Sequence, residues 1–268
     1  MARTKSPLNL RGSIKGLSFY SVEGSDETFV REKGGANINH IRNSKSFSLL
    51  RLEQNELRGR AALAKDLRIT LGQWSWRIVD RHLQLRLCAL LKIIQKMDEV
   101  SPRGKRSIYV TKHKELLRLI NYYYYKPLSD LLLCPYTVET SEDKKTLTVK
   151  LKGLNPKLHV KAPVQASHFQ LCISIGTISD CICDLRNGTY HIPFGENRDW
   201  GSEKESEWIP LDGPVMDEFS INVSLHDFCT VKDNQVVIQA FGIVFGKMMY
   251  TVEPIKKDRG SIVILDVI

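Results

Sequence analysis

At Lys126-Pro127 the apolar pattern of the chain changes period, and this change constrains the fold more than any other feature. Before it, Phe47, Leu50, Gln54, Leu57, Ala61, Ala64, Leu67 and Leu71 recur at alternating steps of three and four, which is one face of an amphipathic helix. Ser46 is placed to cap that helix and Gly72 to stop it. A second helix is predicted over about 76–97, with Ile78, Leu83, Leu87, Leu90, Leu91, Ile94 and Met97 apolar, and Ser101-Pro102-Arg103-Gly104 breaks it. A third, short helix is predicted near 111–123. Two or three helices with short connections make an α-hairpin or a small bundle.

After Lys126-Pro127 the residues alternate. Short strands are predicted at 136–139, 146–151, 168–178, 181–186, 189–194, 219–225, 236–244, 248–252 and 262–267. Asn187-Gly188 is the strongest hairpin signal among them. A series of short strands separated by turn residues predicts an antiparallel β-sandwich, for which an immunoglobulin-like order is one analogue. Upstream of the helices, residues 12–35 read as a hairpin with a flexible exit: an apolar stretch at 13–22, a polar turn at Glu23-Gly24-Ser25-Asp26, then Thr28-Phe29-Val30-Arg31. A two-stranded hairpin is marginal alone in water, so it needs something to pack on. The predicted class is therefore α+β: a β-hairpin arm and two to three helices in residues 1–126, and an antiparallel β-sandwich in 127–268.

Charge follows the same division. Residues 1–126 hold 25 basic and 11 acidic side chains, net +14, and residues 127–268 hold 14 and 19, net −5, which together make the +9 of the whole chain. Apolar residues at 42% and charged residues at 26% are ordinary globular usage and exclude wholesale disorder or a small disulfide scaffold. The basic start, Met1-Ala2-Arg3-Thr4-Lys5-Ser6-Pro7, runs into Leu8-Asn9-Leu10-Arg11 rather than a long apolar stretch, so no secretory signal is expected. The longest charge-free runs, 162–179 and 234–246, read as strands, and no membrane span is expected, since a spanning helix takes about 20 apolar residues. Six cysteines, at 88, 134, 172, 181, 183 and 229, lie in apolar contexts without CxxC pairs and are expected to be reduced, buried thiols of a cytoplasmic protein.

Several segments together carry a family resemblance. Gly12-Ser13-Ile14-Lys15-Gly16-Leu17-Ser18-Phe19-Tyr20, then Phe29-Val30-Arg31-Glu32-Lys33-Gly34-Gly35, is similar to the start of a family of uncharacterised bacterial proteins with the pattern GxxGxxSFY…(Y/F)VRxKGG. A helix rich in Phe, Arg, Asn and Glu follows in that family and resembles the segment from Phe47 to Leu57 here. Pro127-Leu128-Ser129-Asp130, Pro135-Tyr136-Thr137-Val138, Ala162-Pro163, Ala166-Ser167-His168-Phe169 and the final strand run are similar too. The resemblance implies a basic N-terminal part joined to a β-sandwich, and implies no activity. Tyr122-Tyr123-Tyr124-Tyr125 departs from it, since the family more often has a mixed Gly/Phe/Asn stretch there.

Two binding readings compete. In the first, a basic arm, a hairpin in need of support and open sheet edges form the parts of an assembling protein, with Phe19, Tyr20, Phe29, Tyr122, Tyr123, Tyr124 and Tyr125 meeting a protein partner or a second copy. In the second, Arg51, Arg58 and Lys65 make a stripe along the first helix, and Arg68, Arg103, Lys105 and Arg106 extend it toward a polyanion such as nucleic acid. Helix outer faces are charged in most proteins, and no helix-turn-helix, zinc-finger, RNP or KH signature accompanies the stripe. A remote third reading places Cys183 beside His191 across the Asn187-Gly188 hairpin as a thiol hydrolase pair. GxSxG, Walker A and HExxH motifs are absent and the seven histidines have no ligand spacing, so the expectation is a non-enzymatic chain with no cofactor and no metal.

Overall fold

The computed structural model describes residues 11–21, 27–32, 34–72, 78, 82–120, 126–193, 201–226, 231–255 and 260–268, together with the backbone of 2–4. The chain forms two compact units, Met1–Arg51 and Leu52–Ile268. The change of period at Lys126 is thus no boundary between units: the helices of 52–120 belong with the strands that follow them.

The first unit holds a four-stranded antiparallel sheet of β1 (Ala2–Thr4), β2 (Gly12–Ile14), β3 (Leu17–Ser21) and β4 (Thr28–Glu32), in the order β1-β4-β3-β2. The predicted strand at 13–22 is in fact two. Lys15 and Gly16, at φ 44 and 85, turn the chain between paired Ile14 and Leu17, the two left-handed residues of a type I′ hairpin turn. Residues expected to be a free arm supply β1, which pairs Ala2 with Val30. The predicted turn at 23–26 lies outside the described residues.

Helix α1 (Ile38–Asn43) follows, started by Asn37, whose side chain accepts from Asn39 N at 2.9 Å. A 3-10 turn, Lys45–Phe47, is capped by Ser44 rather than Ser46 and leads into α2 (Ser48–Thr70). Gly72 ends α2 as expected, at φ +83.

In the second unit, α2 and α3 (Leu83–Lys96) bury Leu63, Ala64, Leu67, Leu83, Leu87, Leu91 and Ile94. The predicted second helix is seen over Leu83–Lys96, its expected start at 76–81 lying, Ile78 apart, outside the described residues, and the third is the single turn α4 (Lys114–Leu117). Then come α5 (Leu128–Leu131), β5 (Tyr136–Thr140), β6 (Thr146–Leu154), α6 (Pro156–His159), β7 (His168–Ser179), β8 (Ile182–Cys183), β9 (Tyr190–His191), β10 (Gly201–Glu205), β11 (Ile209–Pro210), β12 (Met216–Ser224), β13 (Gln235–Met248), β14 (Val252–Pro254) and β15 (Gly260–Val267).

Two of these strands organise the rest. β7 and β13 pair antiparallel along their length, from His168↔Gly246 to Ser179↔Gln235, at the centre of a six-stranded sheet that also holds β10, β11, β14 and β15. Their odd-numbered side chains, Phe169, Leu171, Ile173, Ile175, Val237, Phe241, Ile243 and Phe245, pack against Leu147, Val149, Leu151, Ile221 and Val223 of the three-stranded sheet β12-β6-β5. Their even-numbered side chains, including Cys172, Ile178, Ile238, Ala240 and Val244, pack against α2 and α3.

A strand covered on both faces is predominantly apolar and tolerates no unpaired charge, and this is why the two charge-free runs became the central strands. The fold is α+β, a β-sandwich whose larger sheet carries helices on its outer face. On β15 a bulge opposite Gln239 and Ala240 leaves Leu265 out of register. Ile264 and Val267 can then both face the helices while Leu265 faces the other sheet.

Candidate functional site

Among the described residues of the first unit no apolar side chain is buried; Thr28 alone is buried there. The sheet has Tyr20 and Phe29 as direct cross-strand partners, stacked with ring centroids 5.7 Å apart, and Arg31 lies over Tyr20 at 5.4 Å. Phe19 pairs with Val30 and therefore points to the opposite face. Ile14 and Leu17, at the tip of the β2–β3 hairpin, are 55% and 42% exposed, and Ile38 is 60% exposed. β2 is bonded to β3 alone and β1 to β4 alone, so each leaves its outer backbone edge unpaired by the other described strands. Of the predicted partner-binding residues, the structure thus brings Phe19, Tyr20 and Phe29 into one small sheet, while Tyr122, Tyr123, Tyr124 and Tyr125 lie outside the described residues.

The predicted polyanion stripe fares differently. Arg51 spends its guanidinium on the carbonyls of Ile41 (2.7 Å) and Ser44 (2.8 Å), tying α2 to the end of α1. Arg68 donates to Gln84 Oε1 at 3.3 Å, Arg106 lies 3.5 Å from Glu56, and Lys105 donates to the carbonyl of Leu185. Arg103 sits 4.0 Å from Glu53. Arg58 and Lys65 stand exposed on α2. Most of the expected stripe therefore holds the second unit together.

What the apolar pattern did not reveal is the polar junction these residues serve. The Glu56 carboxylate, almost wholly buried, accepts from Gly104 N at 2.8 Å. Gln95 Nε2 donates to the carbonyl of Arg106 (2.8 Å) and to the Tyr190 hydroxyl (3.2 Å), which itself donates to the same carbonyl (2.9 Å). Asn55 Nδ2 reaches the carbonyls of Gly104 (2.7 Å) and Gly188 (2.9 Å). Asp98 accepts from the backbone of Val100, Ser101 and Ser107, and Ser107 Oγ accepts from Cys183 N at 3.1 Å. One hydrogen-bonded block thereby joins α2, α3, the 98–107 loop and the β8–β9 hairpin. Its sequence signal was the pair Glu56 and Arg60, charged residues one helical turn apart on the buried side of α2.

The same hairpin decides the geometry of the thiol pair. Cys183 lies opposite Tyr190, and His191 lies opposite Ile182. His191 is exposed, with Nε2 3.0 Å from Thr189 Oγ1. Burial pushes the Cys183 thiol up, and burial followed by Asp66 pushes Cys181 up to about 12. Cys183 and His191 are not brought together as nucleophile and base. Burial also raises Tyr190, with Cys183 the next cause.

A surface cleft of about 440 Å³ lies between α4, the β5–β6 turn and the start of β13. Lys114, Lys144 and Lys232 line it against Glu142, Asp143 and Asp233, a balance that favours neither sign of ion. Among the described residues no group of three His, Cys, Asp or Glu is placed to hold a metal, and no helix is long and apolar enough to cross a membrane. No protein-family model matches the chain, and no curated protein or solved structure does.

Proposed function

We propose that the chain is a non-enzymatic assembly protein, whose N-terminal sheet adds to a neighbouring copy. The observation that carries this reading is the absence of any buried apolar side chain among the described residues of the first unit. A small sheet with no buried apolar side chain among its described residues gains too little to offset the entropy of ordering its backbone, about 1–2 kcal/mol per residue. A partner surface supplies the missing burial, and the unpaired edges of β2 and β1 supply hydrogen bonds in register.

Charge favours a second copy as that partner. Residues 1–51 hold nine basic and four acidic side chains, and residues 127–268 of a neighbour offer the excess of acidic ones. Such a contact joins different surfaces of the two copies, so it either closes when both copies return it, as a two-fold dimer, or passes on to a third copy in a ring or open chain.

Light scattering coupled to size exclusion tests this. Expected is a mass above that of one chain that rises with concentration, persists in high salt, and falls to one chain in Ile14→Lys with Leu17→Lys. A single-chain mass at every concentration overturns it. The rival, nucleic-acid binding through Arg58 and Lys65, would show instead as salt-sensitive binding of DNA or RNA lost on reversing those two charges.

A further inference from the structure

Apart from the assembly surface, the second unit contains an unbalanced charge cluster. Glu53 is met by three cations: its Oε1 lies 3.1 Å from Arg60 Nη2 and 2.5 Å from Lys92 Nζ, and its Oε2 lies 4.0 Å from Arg103 Nη2. The three cations come from separate places, α2, α3 and the loop after α3. One carboxylate cancels one of the three positive charges. It also leaves hydrogen-bonding capacity unused on Arg60, the most buried of the three. The Arg60 side chain is 4% exposed, and its Nε and Nη1 are buried without a hydrogen-bond partner. An orphaned, desolvated N–H of a charged group is costly, so two on one side chain mark a place where an acceptor is missing. The cluster is nonetheless reachable, since the side chains of Lys92 and Arg103 are 42% and 51% exposed.

We propose that Arg60, Lys92 and Arg103 form a binding site for a phosphate group, and that Glu53 is the internal counter-ion occupying it. The chemistry selects the ligand class. A second carboxylate would only repeat what Glu53 provides, whereas a phosphate dianion brings two charges and three or four acceptor oxygens to three cations with spare donors. Lys92 and Arg103 grip the outward oxygens, Arg60 meets the inward ones, and Glu53 turns toward solvent. The phosphate is either a free ion or part of a nucleic-acid backbone, and these two sources share the chemistry.

Titration of the full chain with inorganic phosphate, at ionic strength held constant with chloride and followed by amide and arginine side-chain NMR shifts, tests the site. Expected is saturable binding. Removal of the competitor in Glu53→Gln tightens it, by roughly tenfold if one charge-assisted contact is released, and Arg103→Ala weakens it by a similar factor. Arg103 is half-exposed, so its variant keeps the core intact even if Glu53→Gln loosens the helix pair. A short single-stranded oligonucleotide distinguishes the sources: displacement of phosphate by it assigns the site to backbone phosphates, and failure to displace assigns it to the free ion. Absence of saturable phosphate binding in both the unaltered chain and Glu53→Gln overturns the proposal, as does a Glu53→Gln affinity no tighter than that of the unaltered chain.

Discussion

The ring of Tyr190 lies where a side chain on Gly59 would stand: a Cβ on Gly59 would fall 2.4 Å from Tyr190 Cδ1 and 2.6 Å from Cε1. The missing side chain in α2 lets the β9 tyrosine reach past the helix to Gln95 and the carbonyl of Arg106. Gly59→Ala is therefore expected to reverse the usual rule. In an exposed helix interior alanine gains about 1 kcal/mol over glycine. Here the overpacked ring is expected to cost about 1–3 kcal/mol. Chemical denaturation measures the loss, and Tyr190→Leu in the Gly59→Ala chain is expected to recover part of it. Additive losses in that double variant would show that the two residues are not in contact.

Asp98 organises the loop on the other side of the same junction. Burial raises its carboxyl, but hydrogen bonds from Ser101, Ser107 and Val100 outweigh burial, and the group sits below the ordinary carboxylate range. A carboxylate with a depressed folded value contributes stability above its unfolded value, about pH 3.9, and loses it as pH falls through the folded one. Asp98→Ala is expected to cost about 1–3 kcal/mol at neutral pH through its orphaned backbone donors. The deficit should shrink as acid titrates the native carboxylate. Urea midpoints measured across that range check the sign, and a deficit independent of pH would refute it.

How much of this was legible in the sequence differs along α2 itself. The predicted face holds over its second half, where Ala64, Leu67 and Leu71 are buried. It fails in the first half: Leu50 and Leu57 are 41% and 45% exposed, while Glu56, Gly59 and Arg60 are buried. Apolar periodicity assumes that the buried side of a helix is apolar. Here the helix meets a loop and a hairpin whose carbonyls and N–H groups demand polar partners, and that demand comes from residues 95–107 and 181–190, remote in sequence. The central strands were readable because burial on both faces excludes charge, leaving long uncharged runs in which the buried polar positions, Gln170, Ser174, Thr177, Ser179 and Gln239, are few. The layer order was not, since nothing local tells β7 that its even side chains will meet helices.

Asp66 makes the opposite prediction from Asp98. Its carboxyl, on α2, is raised by burial, with Lys65 the counteracting charge. A raised folded value means that the ionised form is the costly one, so stability is greatest below the unfolded value and declines as pH rises through the folded one. Asp66→Asn is expected to raise the denaturation midpoint at neutral pH, and the gain should vanish below about pH 4, where the unaltered side chain is already neutral. A midpoint lowered at neutral pH would show that the carboxylate has a stabilising contact instead.

The thiols give the last expectation. A thiolate, not a thiol, attacks an alkylating agent, so reactivity follows both access and the ease of ionisation. Cys181 has no exposed surface and is pushed up to about 12 by burial and by Asp66; Cys183 is buried and raised as well. Cys88, on α3, is partly exposed, and although burial raises it, the Arg60 charge works in the other direction. In the folded chain at neutral pH, iodoacetamide should therefore label Cys88 ahead of Cys181 and Cys183. Peptide mass spectrometry reads the order directly. Cys181 and Cys183 should catch up only once the β8–β9 hairpin opens, so their labelling rate in rising urea reports whether the polar junction unfolds with the core or before it. Rapid labelling of Cys183 in the native chain would revive a nucleophilic role for it, and slow labelling that tracks global unfolding would leave it as packing beside Tyr190.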